Sequence, residues 1–531
     1  MSTSTRMSTG AGAGAGEGAG VAAAPTGVEP LPGRRNRGAA VLALARFEAR
    51  ELLLQAPVFV FFLLYFGATC WKLFFKHEGM NDYPALQDVD RATQNGALLV
   101  SVFVLTGVNR ATLLSRRRDT DRHFETLVMD PWRRAIAHAL SAVPLAAAVA
   151  LTVTLDFTWA ALKPGAVGHG SVLELVVSPL TVLLAGVLGV LLARLIPSVL
   201  GGPLFVIAGF VATTVVPGLV TDAHWLRWLS PVVDETGPDA FPSDLMGRPA
   251  AWHALYLAGL VALVLGAAVL RAGGRTRLVK AATAVALAAT VAGIAGQSPG
   301  DSAALTAARA KAYLHPEKVQ SCREIGTTTY CAYPEWAGRS EDWAAVVKRV
   351  QSLAGGAAGG ERLTVRQRVD ARQGLEGGAS MDPLTGRGQV TVGTRWGGNR
   401  VPEFAVGLAG VLVGGDERSG GTVCDGRVVT IMWLALGADP DPMAALRNVR
   451  LEDNVTGSSL VLAPTAPLIM STEQTRIVRE LLHMPRYGVT ARVKAHWTEL
   501  TSPRTSMARV AELLGVPAAP KGSGDGEWCE K

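Results

Sequence analysis

Cysteine is the reactive residue whose distribution in this chain is most informative. Cys322, Cys331, Cys424 and Cys529 all lie in the C-terminal part, while the fifth cysteine lies inside an apolar block. An even number confined to one compartment indicates disulfides in an oxidising space. A Cys322–Cys331 bond would close a short loop, and a Cys424–Cys529 bond would tie down the chain end, although four cysteines allow three connectivities. A metal site near His315 and unpaired thiols are the alternatives, but the spacing matches no zinc pattern.

Motifs for catalysis or nucleotide binding are missing from the sequence. It contains no HExxH, no GxSxG and no GxxxxGK[ST]. Asp425, which follows Cys424 in a CDG turn, is interpreted as a helix start rather than a catalytic acid. The segment GGDERSGG around Glu417 is interpreted as a flexible connection. We therefore expect no enzymatic activity, no metal site and no cofactor bound by this chain itself.

Long apolar blocks dominate the first half of the chain. Apolar residues make up 49% of the sequence and charged residues only 18%, which is low for a soluble protein. A helix needs about 20 apolar residues to cross a bilayer. Six blocks meet this length, at residues 57–75, 96–114, 135–155, 172–195, 199–220 and 252–270, and a shorter, alanine-rich block at 281–296 predicts a seventh span.

These blocks predict an α-helical polytopic membrane protein with a small C-terminal domain that is α+β or mainly helical. The net charge of +7 does not indicate nucleic-acid binding, because the arginines are concentrated in loops between apolar blocks. The predicted parts are a disordered Gly/Ala-rich tail (1–36), an interfacial helix (37–56), a six-span core (57–275), a seventh span (276–297) and an extracytoplasmic domain (298–531).

Lysine and arginine predict the orientation of the chain. The basic residues that flank the predicted inner ends are Arg34, Arg35, Arg37, Arg116, Arg117, Arg118, Arg122, Arg133, Arg134, Arg271, Arg275, Arg277 and Lys280. The opposite loops are poor in such residues, and several tryptophans fall near the predicted outer ends. By the positive-inside rule the N-terminus is cytoplasmic. With seven spans, the C-terminal domain lies outside the cell membrane.

The C-terminal region carries recognisable helix and strand patterns. Ser340 is expected to cap a helix that buries Trp343 and Val347, and Ser471 with Gln474 forms a capping-box pattern. Alternation predicts strands at 361–370 and 389–396. Further helices are predicted near 403–414, 427–436, 472–484, 487–499 and 505–514, the last ended by Gly515.

The loop after the second block combines charge with a helix-start signal. Residues 116–140 read RRRDTDRHFETLVMDPWRRAIAHAL, and Pro131 can begin the helix that enters the third block. The simplest interpretation is a loop that only records orientation. The alternative is a short helix on the inner membrane surface that presents charged residues to a partner.

This arrangement resembles the type-2 permeases of ATP-binding-cassette (ABC) transporters. The resemblance is carried by FEARELLLQAPVF (47–59) before the first span, RDTDRHFETLVMDPWRRAIAHAL (118–140) after the second, and six spans in the core, and it covers about 37–275. It implies a coupling helix that docks on a separate ATPase subunit. The residues implied in that role are Asp121, Glu125, Leu127, Asp130, Pro131, Trp132, Arg133 and Arg134.

The resemblance also implies what the protein does and what it binds. It implies a permease subunit of an ATP-driven transporter, embedded in the lipid bilayer as a homo- or heterodimer, with ATP bound by the partner ATPase. The few ionisable residues near the spans are expected at the interfaces, with Lys72, Asp156 and Glu174 near outer ends and Arg110 and Arg194 near inner ends. The apolar pathway that remains favours export of a lipid-like or amphipathic substrate. The alternatives are a membrane-anchored extracytoplasmic binding protein and a membrane-bound enzyme.

Overall fold

The fold was analysed in a computed structural model that describes residues 34–75, 79–117, 129–212, 228–232, 237, 239–371, 381–451 and 457–517. Several sequence predictions lie outside these residues. They are the disordered tail up to residue 33, most of the second half of the block at 199–220, the coupling residues Asp121, Glu125 and Leu127, and Cys529. These stay predictions.

The N-terminal part is helical. Nine helices are described there: α1 (Arg34–Leu54), α2 (Ala56–Phe74), α3 (Leu86–Arg117), α4 (Pro131–Leu140), α5 (Val143–Ala161), α6 (Val172–Leu195), α7 (Gly201–Phe210), α8 (Ala250–Arg271) and α9 (Arg277–Gln297).

Six segments within the described residues are long and apolar enough to cross a membrane. They are α2, most of α3, α4 continued into α5, α6, α8 and α9, so the chain is a helical polytopic membrane protein. The predicted seventh block coincides with α9. The predicted fifth block is described only through α7 and the two residues after it, and the total of seven spans therefore stays a prediction.

Glycines allow the membrane helices to approach closely. A Cβ on Gly293 of α9 would lie 2.6 Å from the backbone of Tyr256 on α8. A Cβ on Gly189 of α6 would lie 2.7 Å from the carbonyl oxygen of Leu105 on α3. Small residues at helix contacts are typical of membrane bundles, where packing replaces the hydrophobic effect as the driving force. These two contacts hold α8 against α9 and α6 against α3.

The C-terminal part combines helices with a mixed sheet. Its elements are α10 (Ala303–Leu314), β1 (Ser321–Ile325), β2 (Thr328–Ala332), α11 (Ser340–Leu353), β3 (Thr364–Gln367), β4 (Gln389–Val392), α12 (Arg400–Gly414), α13 (Glu417–Gly421), α14 (Arg427–Leu436), α15 (Pro442–Val449), β5 (Ser459–Val461), β6 (Leu468–Met470), α16 (Thr472–His483), α17 (Arg486–Ala495), α18 (Trp497–Leu500) and α19 (Met507–Leu514).

The sheet has the order β1-β2-β3-β4. The β1–β2 pair is an antiparallel hairpin, and β3 and β4 add in parallel. Cys322 and Cys331 are directly opposite each other in the hairpin and form a disulfide. This confirms one of the two predicted bonds. The other involves Cys529, which lies outside the described residues.

Local signals gave most of the helix boundaries in this part correctly. The capping box of Ser471 and Gln474 is present at the start of α16, and Gly515 ends α19 in the left-handed conformation. The predicted capping role of Ser340 is wrong. Ser340 is the first helical residue of α11, and its hydroxyl donates a hydrogen bond to the carbonyl oxygen of Ala337. The buried face of that helix is as predicted.

The core of the C-terminal part is completed by loops from the membrane part. Val167, Ala240, Phe241, Leu245 and Met246 are buried in the same apolar cluster as the sheet and its helices. These residues come from the loop between α5 and α6 and from the segment before α8. The C-terminal part, which we call the capping domain (303–517), is thus built onto one end of the helix bundle.

Polar contacts fix the capping domain to these loops. Arg339, which is 3% exposed, donates hydrogen bonds to the carbonyl oxygens of Tyr83 (3.0 Å) and Gly165 (2.7 Å). The Glu335 carboxylate accepts a hydrogen bond from the backbone N–H of Ser243 at 3.2 Å. Arg395 forms an ion pair with Asp88 at 3.2 Å. The domain therefore covers the end of the bundle that is poor in arginine.

Candidate functional site

The start of α4 lies at the opposite, arginine-rich end of the bundle. Pro131 occupies the first turn, where its missing N–H leaves no hydrogen bond unmade, and Asp130 precedes it. Arg133 forms an ion pair with Asp130 at 3.1 Å and lies over the Trp132 ring at 5.0 Å from its centroid. The Asp130 side chain is half exposed. The helix start therefore presents Asp130 at the surface, whereas the Arg133 side chain is 19% exposed and packs on Trp132.

Neighbouring helices anchor α4. The alanines Ala135, Ala137 and Ala139 are buried against the bundle. Arg194, at the end of α6, donates a hydrogen bond to the carbonyl oxygen of Pro131 at 3.3 Å. A displacement of the start of α4 would therefore be transmitted to α6 through this hydrogen bond.

Helix α1 packs against α4 as well as against the spans. Ala45, Ala49 and Leu52 are buried at helical spacing, which gives α1 one packed face. Glu48 of α1 lies 3.5 Å from His138 of α4, and both side chains are mostly buried. Together, α1 and the start of α4 form a continuous element at this end, which we call the inner platform (34–54 and 130–140).

A cavity of about 960 Å³ opens between the inner platform and the spans α2, α3 and α7. Its walls include the apolar side chains of Phe47, Val58 and Phe103. Ionisable side chains also line it, and they are Glu48, Glu51, Arg110, Arg134 and His138. The cavity therefore offers an apolar surface beside a charged rim.

The structure brings together only part of the implied coupling residues. Asp130, Pro131, Trp132, Arg133 and Arg134 all lie at the start of α4, within the inner platform. The remaining three lie outside the described residues. The coupling role of these five residues stays a prediction.

A buried polar network at the covered end of the bundle was not anticipated from the sequence. Glu174 forms an ion pair with Arg248 at 3.3 Å and accepts a hydrogen bond from Gln94 at 2.7 Å. Asp90 accepts a hydrogen bond from the backbone N–H of Ser171 at 2.8 Å. Glu174 lies in the first turn of α6, as expected for the end of a span, but it is 4% exposed and enclosed by protein; its position at the membrane interface stays a prediction.

Lys72 and Asp156, the other two residues expected near outer ends, pair with each other at 3.2 Å. The Lys72 side chain remains 44% exposed, while that of Asp156 is only 12% exposed. Because the pair is partly open and lies near the covered end of α2 and α5, the position of Lys72 agrees with the expectation. A lysine can extend its ammonium towards the interface while its stem stays on apolar surface.

Glu417 is a structural carboxylate that sequence reasoning missed. It is 5% exposed and accepts hydrogen bonds from the backbone N–H of Leu384 (2.8 Å) and the hydroxyl of Thr391 (3.0 Å). Burial raises the pKa of this carboxyl group, and its hydrogen bonds oppose the rise. The interpretation of this segment as a flexible connection is wrong, because Glu417 joins α13 to β4.

In the described part of the chain, no three His, Cys, Asp or Glu side chains are grouped so that they could hold a metal ion. No family model, curated protein or solved structure matches the chain.

Proposed function

We propose that this chain is the membrane-spanning permease subunit of an ATP-driven transporter of the ABC type, and that it exports a lipid-like or amphipathic substrate. A separate ATPase subunit would supply the energy. The observation that carries the proposal is the inner platform, in which the start of α4 exposes Asp130 on one side and packs on the spans on the other.

The contacts of the platform support a mechanical role. Arg194 links the start of α4 to α6, and Glu48 links α1 to α4 through His138. An ATPase that changed its contact with Asp130 and Arg133 would therefore move elements that are packed on several spans. Switching between two packed arrangements is how such bundles change access.

The cavity above the platform supports an amphipathic substrate. Its volume of about 960 Å³ lies at the upper end of the range for small-molecule sites. An apolar tail would contact Phe47 and Phe103, and a polar head would meet Glu51 and Arg110. A small inorganic ion would gain nothing from the apolar walls.

The proposed orientation places the arginine-rich end in the cytoplasm and the capping domain outside the cell membrane. Cys322 lies on the exposed face of the hairpin. In intact cells, a membrane-impermeant maleimide should label it only after treatment with a membrane-impermeant reductant. Labelling that first requires permeabilised cells would contradict this orientation.

A charge swap tests ATPase coupling. In the double variant Asp130→Arg/Arg133→Asp the ion pair within α4 can re-form, but the charges shown to a partner are inverted. The matched control is Arg277→Asp, an exposed arginine at the same end of the bundle. We expect an ATP-hydrolysing protein to co-purify with the wild-type chain and the control, and to be lost with the swap.

Two results would count against the proposal. One is equal ATPase activity in preparations of the swap and the wild type. The other is a wild-type chain purified from its own cells without any nucleotide-hydrolysing protein, yet active in export. The melting temperature of each variant shows whether the swap has disturbed the fold.

A membrane-anchored binding protein is the second candidate, favoured by a cavity of about 390 Å³ in the capping domain. A binding protein should keep its ligand when the charges of α4 are swapped. A permease should keep its ligand but lose export.

A further inference from the structure

The capping domain contains a cavity of about 390 Å³ at the side nearest the membrane part. Trp396 and Phe404 form an aromatic wall, with ring centroids 5.7 Å apart and planes at 61°. Leu462 and Pro464, from the segment after β5, line the same cavity. These apolar surfaces would accommodate the hydrocarbon or ring portion of a ligand.

Charged groups beside this apolar wall are balanced in sign. Arg400 donates two hydrogen bonds to the carboxylate of Glu403, at 3.0 and 2.8 Å. Arg395 is paired with Asp88 at 3.2 Å and donates a hydrogen bond to the carbonyl oxygen of Gly237 at 2.9 Å. Asp239 completes the charged set. Two carboxylates and two guanidinium groups line the cavity, so it offers donors and acceptors without a large net charge.

A second cavity, of about 300 Å³, shares Arg395 and Trp396 with the first. Its other walls come mainly from the membrane helices, with Lys72, Asp156 and Trp159 among them, and from the loop at 80–85 before α3. Trp159 is 39% exposed on the outside of the bundle. Arg395 and Trp396 therefore lie between a cavity inside the capping domain and one that reaches the lipid-facing end of α2 and α5, so a movement of these two side chains would join the cavities.

We propose that the capping-domain cavity binds an amphiphile with an apolar body and an uncharged or zwitterionic polar group, taken from the adjoining bilayer surface through the second cavity. Trp396 and Phe404 contact the apolar body. Arg400 and Glu403 hydrogen-bond to the polar group. The site stands whether or not the chain is a permease, because no step of the argument uses the inner platform.

The test uses the full chain in lipid nanodiscs that contain phosphatidylcholine with a photoactivatable diazirine in one acyl chain. After irradiation, cross-linked peptides are mapped by mass spectrometry. We expect cross-links in residues 395–404 and 462–467, in addition to those on the exposed faces of the spans. Their absence, with the spans labelled normally, would overturn the proposal.

A variant that fills the cavity distinguishes cross-links formed inside it from cross-links formed elsewhere. Leu462→Trp adds bulk within the cavity, whereas Leu460→Trp adds the same bulk at a position that is 40% exposed, on the neighbouring strand β5. We expect at least a fivefold loss of cross-links at 395–404 in the first and no change in the second. Equal labelling in both would show that the cross-links arise outside the cavity.

A second variant and a second probe keep the result interpretable. If Leu462→Trp lowers the melting temperature, the smaller change Ala463→Leu at the same wall replaces it, with the same expected loss of cross-links.

Repeating the experiment with the corresponding phosphatidylglycerol probe tests the charge balance of the cavity. We expect at least threefold weaker cross-linking, and equal labelling would refute the stated preference for a polar group without net charge.

Discussion

Arg339 offers a sharp test of how the capping domain is held on the bundle. Its guanidinium group is buried, lies over the Tyr83 ring at 5.3 Å, and donates hydrogen bonds to the carbonyl oxygens of Tyr83 and Gly165. Burial lowers its pKa to about 10, so it remains charged at neutral pH. Arg339→Met would keep much of the packing but remove both hydrogen bonds and the charge.

The expected magnitude follows from these two bonds. Each hydrogen bond from a charged donor contributes about 1.5 kcal/mol at the lower end of measured values, and together they contribute about 3 kcal/mol. Since 1.4 kcal/mol corresponds to a tenfold change in an equilibrium constant, local opening should become about 100-fold more frequent.

Hydrogen exchange measures this opening. The backbone N–H of Leu86 bonds to the carbonyl oxygen of Val167, and the N–H of Val167 bonds to that of Pro84. Leu86 begins α3 and Val167 lies in the loop before α6, each within three residues of a carbonyl that Arg339 holds, so their exchange in Arg339→Met should be about 100-fold faster.

Arg323→Met is the matched control, because Arg323 is exposed and its ion pair with Glu341 lies on the surface. An exposed pair of this kind contributes little to stability. The reasoning would be refuted if Arg339→Met left the exchange of Leu86 and Val167 unchanged, or if Arg323→Met accelerated it equally.

Two further predictions concern the interior of the bundle. Arg248→Gln should lower the melting temperature by about 5 °C or more, because leaving the buried Glu174 carboxylate unpaired costs about 3–5 kcal/mol of stability. The double variant Arg248→Gln/Glu174→Gln should recover most of this loss of melting temperature. In Gly293→Leu the new side chain would collide with the backbone of Tyr256 and separate α8 from α9, so we expect a polydisperse elution profile in detergent. Gly67→Leu is the control, because the space around its Cβ position is open, and it should elute as the wild type does.

Hydropathy was sufficient to locate most of the spans, because a bilayer requires long apolar stretches whatever their partners are. It failed at the start of α3. The helix begins at Leu86, although the predicted span begins at 96, because Gln87, Asp90 and Gln94 look like loop residues in sequence. All three are buried and meet partners in other segments.

The buried pair of Glu174 and Arg248 shows why such partners could not be foreseen. The two residues are far apart in the chain and belong to different predicted elements, so no local periodicity relates them. The capping domain shows the same difference. The bounds of α14 were predicted correctly from a local pattern, but the role of Glu417 was not, because its partners come from β4 and the loop before it. Local patterns define elements, whereas contacts between distant segments define sites.

The shared core of the capping domain has a consequence for how the protein is made. Phe241, Leu245 and Val167 belong to segments that are synthesised long before the domain, yet they fill its interior. The domain can complete its folding only after the earlier spans have been inserted and these segments have arrived on the same side of the bilayer. A gene fragment that encodes only residues 303–531 would yield a polypeptide with an incomplete interior. Correct folding of the domain in the full chain therefore indicates that the helices before it have been inserted.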